Sequence, residues 1–185
     1  MTETSAQGPR AQGPRAQGTT KRPAIVAMWA GYALGGIGFF LGFAESNPID
    51  ALEPVVLWSV GALGVLSFVR HALLHRSDAV RMGWDIGRRN NFQIEVGMAN
   101  LAWGLLAFGA VAWDWGVAAQ AAITLVFALY LLEAFVLHIV SVLDRSEERQ
   151  GAAAWGPALA TLVMAGALAY FAIAALNEAG IKPFN

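Results

Sequence analysis

Five apolar blocks, at roughly 24–44, 54–74, 94–113, 116–143 and 153–176, dominate the chain, with short polar connections between them. Each holds about 20 residues or more, enough at 1.5 Å of rise per residue to cross ~30 Å of hydrocarbon. None alternates with the period of two that a barrel strand requires, and in lipid a helix satisfies its own backbone. The pattern therefore predicts an all-α integral membrane protein, a bundle of five transmembrane helices over residues 23–180. The short Asp114-Trp115 junction turns a helical hairpin, and the long fourth block must tilt or project from the membrane.

Residues 1–22 differ in kind. The repeat "AQGPRAQGPRAQG" has nothing to bury against its ordering entropy, so it reads as a disordered cytoplasmic tail. Residues 181–185 form a short tail at the opposite face. Gly42-Phe43-Ala44 could pass for a leader cleavage site. The block before it is far longer than the 7–15 residues of a signal-peptide core, so it reads as a retained helix.

Charge supplies orientation. With the N-terminus inside, all of the 12 lysines and arginines except Lys182 fall on the inner side, while Glu45, Asp50 and Glu53 occupy the first outer connection. That asymmetry predicts a cytoplasmic N-terminus and an outer C-terminus. Tryptophans near both ends of the blocks fit an interfacial belt. The composition, 57% hydrophobic and 14% charged, departs from a soluble domain in the same direction. No cysteine is present, which excludes disulfides, iron–sulfur clusters and thiol catalysis. The bilayer is the expected partner, with a homo-oligomer or larger membrane complex as a further one; nothing suggests nucleic acid.

Small residues mark the packing faces. Gly31, Gly35, Gly38 and Gly42 line one side of the first helix, a smooth stripe for close helix approach, expected mainly within the bundle. Gly97, Asn100, Gly104 and Ala107 make a similar line on the third, where Asn100 suits an interhelical hydrogen bond. In the connection at 76–92, Ser77-Asp78 reads as a helix N-cap, with Val80, Arg81 and Trp84 forming a short interfacial turn.

The candidate chemistry lies in "SFVRHALLH", residues 67–75. Arg70, His71, Glu95 and His138 fall at one level in the cytoplasmic leaflet, each about 9 Å from a headgroup-level charge. Glu133 sits about 7 Å deeper. Ionisable groups inside a membrane are functional candidates, although those near helix ends snorkel to water. The expected activity is binding of a polar ligand or proton at this Arg/His/Glu cluster, and no residue is marked as catalytic. The alternatives are an accessory subunit packing through the glycine stripe and a haem- or metal-binding protein. For the last, His71 or His75 would have to face His138, and Glu133 and His138 are about 140° apart on their helix. A lipid-processing enzyme would need a nucleophile, and Ser67 and Ser141 stand isolated.

The segment "FQIEVGMANLAWG", 92–104, with the arginine and histidines upstream, resembles segments of uncharacterised families of small bacterial multi-pass membrane proteins. The resemblance implies a bacterial inner membrane and no particular activity.

Overall fold

The computed structural model describes residues 19–82, 90–143 and 152–182, and these are helical nearly throughout. The elements are α1 (Arg22–Ala44), α2 (Pro48–Leu73), α3 (His75–Met82), α4 (Asn91–Ala112), α5 (Val117–Leu143) and α6 (Ala152–Glu178). Among the described residues, five helices are long and apolar enough to cross a membrane; α3, short and polar, is not one of them. Most of the segment read as a disordered tail, residues 1–18, lies outside the described residues, as does Trp84 of the expected interfacial turn.

Hydropathy would start α2 at Pro54, but its helix begins at Pro48. Asn47 accepts a hydrogen bond from Ile49 N at 2.9 Å, and Pro48 takes the first turn, where a missing N–H does no harm. Asp50 in that turn complements the positive end of the helix. Pro54 is then internal, and the helix directly after it widens to π-type turns over Val55–Ala62. A second widening covers Val69–Leu73, closed by Leu74 N donating to Val69 O at 2.8 Å. Each wide turn adds a residue without advancing the helix by a full position, so side chains beyond it point in directions that a regular wheel does not give.

α2 is the central helix. Its Leu52, Val55, Val56, Val60 and Leu63 join Phe127 of α5 and Leu168, Phe171 and Ala172 of α6 in one buried core. The glycine stripe of α1 is buried against α2 and α6. A methyl at Gly38 would collide with Ser59, and one at Gly42 would meet Val55 and Phe171 within 3.0 Å. Ser59 uses this closeness to donate to Gly35 O at 2.7 Å. On the opposite side α2 meets α4 backbone to backbone, since a Cβ on Gly64 would lie 2.8 Å from Asn100 O. The stripe thus holds the bundle itself together. α4 and α5 are joined by the predicted hairpin, whose Asp114 takes φ 46° and Gly116 φ 83°. Asp tolerates that left-handed backbone and glycine is at ease in it.

One end of the bundle, here the proximal end, gathers the start of α1, the end of α2, α3 and the start of α4. Ser77 ties it together. It is not a cap for its own helix, since α3 already begins at His75. Its hydroxyl accepts from Ala24 N at 3.1 Å and donates to Thr20 O at 2.7 Å. Lys21, at the cap position of α1, gives no side-chain bond, so the first turn of α1 is capped by a residue of another helix.

Candidate polar-ligand site

The site is built on a turn. α2 ends at Leu73, Leu74 leaves helical geometry, and α3 starts at once, which brings Asp78 back beneath Arg70 and His71. The Asp78 side chain is 0% exposed. Arg81 Nε, one turn further along α3, donates to its Oδ1 at 2.7 Å, and Gln93 Nε2 donates to its Oδ2 at 2.9 Å. His71 Nδ1 stands 2.9 Å from the same Oδ2, in an alignment that falls short of a full hydrogen bond. Gln93 owes its position to Asn90, which caps α4 by accepting from Gln93 N at 3.2 Å.

The network continues to Arg70, whose NH2 group lies 2.6 Å from His71 Nε2. A guanidinium has no acceptor, so Nε2 accepts and the ring carries its proton on Nδ1, towards Asp78. Burial by itself would raise the pKa of Asp78. The His71 contact and the positive charges of Arg81 and Arg70 outweigh it and hold the carboxyl at about 2, below its ordinary 3.8. Arg81 thus pairs with the carboxylate directly, while Arg70 reaches it through His71. Among the described residues Arg70 Nε, His71 Nδ1 and Gln93 Oε1 are buried without a hydrogen-bond partner, the first an open donor and the last an open acceptor.

Of the residues singled out from sequence, Arg70 and His71 meet here. His138, half-buried on α5, lies within electrostatic reach of Arg70 and Arg81. Asn100 is buried and donates to Tyr130 OH at 3.0 Å and to Val96 O at 2.8 Å, joining α4 to α5. Glu95 is exposed on α4, on the side of Phe92 and Met98, and Glu133 is exposed on α5 among Leu129, Val136 and Leu137. Neither glutamate makes an ion pair among the described residues, where the ion pairs are those of Asp78.

Sequence reasoning missed Asp78, Arg81, Gln93 and Tyr130 as site residues. Asp78 and Arg81 had a signal, an acid–base pair at i,i+3. Asn90 and Gln93 had one too, the spacing of a capping box. Among the described residues no group of three histidines or carboxylates could hold a metal ion.

Residues 33–180 match DUF6790, described as a family of unknown function. The chain belongs to the DUF6790 family. The match begins inside α1 and runs to the end of α6, so the family relationship covers the central bundle and the polar site of this DUF6790 protein. No curated protein and no solved structure shows a significant match to it.

Proposed function

We propose that this DUF6790 protein is a multi-pass membrane protein that binds a polar ligand, or takes up and releases protons, at the Arg70/His71/Asp78 cluster. One observation carries the reading: Arg81 and His71 contact a single buried carboxylate, Arg70 rests on that histidine, and Arg70 Nε is left with an unmet donor. A buried polar group without a partner costs about 1–3 kcal/mol, a cost that a bound ligand removes. Arg70 and His71 also sit on wide π-type turns, a distortion that recurs at functional sites.

The test is thermal unfolding of the detergent-purified protein across a pH series and against small anions, cations and neutral polar solutes. A solute- or pH-dependent shift that Arg70→Gln removes is the expected result. Identical responses of wild type and Arg70→Gln to every condition would overturn it.

In this reading the proximal end faces the cytoplasm across a bacterial inner membrane. The support is its basic character, with Arg70, Arg76 and Arg81 there and Glu45, Asp50 and Glu53 at the other end. Because the chain lacks cysteine, single cysteines at Ser5 and Lys182 can be labelled in intact cells with an impermeant reagent. Labelling of Lys182→Cys alone is expected, and labelling of Ser5→Cys would reverse the orientation.

A second reading, assembly with another membrane chain, is favoured by Glu133. A carboxyl on an outward apolar face is expensive in lipid and gains from a polar contact across an interface. A change from oligomer to monomer in Glu133→Leu, read by native mass spectrometry, is the expected result, and an unaltered mass would remove this reading.

A further inference from the structure

The ligand of the cluster can be narrowed by the donors that face it. Among the described residues the groups within electrostatic reach of Arg70 include Asp78, Arg81, His71, His138, Tyr32 and Tyr130. The single carboxylate among them is already engaged by Arg81, Gln93 and His71. Arg70 therefore contributes a positive charge in excess, and its Nε is unmatched.

Tyr130 adds a second donor. Its oxygen accepts from Asn100 at 3.0 Å, which leaves its own proton to be given elsewhere. His138, further along the same helix, is within reach of the same two arginines. An excess cation with an open N–H, a phenol with an open O–H and a histidine form a donor set for an anionic oxygen, and a guanidinium suits phosphate oxygens in particular. The site lies at the end of α2, where a membrane-spanning helix leaves the hydrocarbon.

Resting on the polar-ligand reading above, we infer that Arg70 and Tyr130 form a phosphate-binding site between α2, α4 and α5. The phosphate comes either from solution or from a lipid headgroup, and the recognising chemistry is the same for both.

The experiment uses the full chain in a neutral maltoside detergent. Inorganic phosphate is compared with chloride at matched ionic strength by thermal unfolding. Lipid retention is read by native mass spectrometry after transfer from phosphatidylglycerol or from phosphatidylcholine nanodiscs. Stabilisation by inorganic phosphate points to the soluble source. Selective retention of phosphatidylglycerol without a response to free phosphate points to the headgroup.

In either arm Arg70→Gln is expected to abolish the effect, and Tyr130→Phe to weaken binding by about five- to tenfold, the equivalent of one lost hydrogen bond. Arg76→Gln, which removes an exposed arginine at the same end, is expected to leave it intact. Should Arg70→Gln fail to fold, Tyr130→Phe carries the same comparison. Loss in Arg76→Gln together with retention in Tyr130→Phe would mean diffuse surface attraction and would overturn the site. If another polar solute or a pH change acts through Arg70 while both phosphate arms are silent, the phosphate assignment fails and the polar-ligand reading stands. If nothing acts through Arg70, both fail.

Discussion

The hydroxyl of Ser77 bonds the backbone N–H of Ala24 at 3.1 Å, across 53 residues of chain. Through this contact the start of the first spanning helix depends on the short polar helix that also carries Asp78. Packing of the bundle and assembly of the polar cluster are thereby coupled at one end of the molecule.

Ser77→Ala removes both the cap on Ala24 and the bond to Thr20. We expect a loss of about 1–2 kcal/mol, in the range of a lost helix cap. It would be read as a lower unfolding midpoint in detergent. Ser77→Thr, which keeps the hydroxyl, should recover most of it.

Asp78→Asn keeps the shape of the buried side chain and removes its charge. The guanidinium of Arg81 then loses its ion-pair partner, and breaking a buried pair this way costs about 3–5 kcal/mol. The expected readout is a large fall in unfolding midpoint, with Asp78→Glu intermediate.

The pH dependence follows from the same carboxyl. Its pKa in the folded protein, about 2, lies below its ordinary 3.8, so its charged form stabilises the fold. That contribution is complete above pH ~4 and is lost as pH falls through about 2. Unfolding midpoints should therefore decline on acidification through this window in the wild type, with that limb flattened in Asp78→Asn.

Glycine substitutions separate close approach from open surface. Gly64→Ala places a methyl 2.8 Å from Asn100 O and should cost about 1–3 kcal/mol, because backbone rather than a flexible side chain must give way. Gly36→Ala, with nothing within 4 Å, should be neutral or slightly stabilising. Equal effects of the two in thermal unfolding would contradict the packing of α2 on α4.

Asn100→Ala and Tyr130→Phe each remove one side of the same hydrogen bond. A double-mutant cycle on unfolding should show them non-additive by about 0.5–1.5 kcal/mol, and strict additivity would place the two helices apart.

Much of this molecule was legible along the chain, because hydropathy and small-residue spacing are local quantities. The long apolar helices follow from the apolar runs, and the stripe at Gly31, Gly35, Gly38 and Gly42 follows from helical periodicity. Asn100 was marked in the same way, as a polar residue on a line of small ones. The start of α2 was misjudged because hydropathy ignores Asn47 and Pro48, whose capping chemistry begins the helix before its apolar stretch.

The polar site was only half visible. Depth along a spanning helix counts residues, and that count drew attention to Arg70 and His71, which meet in the structure. Direction is another matter. The π-type turns at Val55–Ala62 and Val69–Leu73 rotate the end of α2 away from any regular wheel, and the turn at Leu74 then folds α3 back beneath it. The partner of His71, on which Arg70 rests, is for that reason Asp78, seven residues further on, with Glu95 and Glu133 outward on other helices. Local periodicity determined what spans and what packs. Only the tertiary structure decided which charges meet, because that depends on helix rotation, which a few distorted turns control.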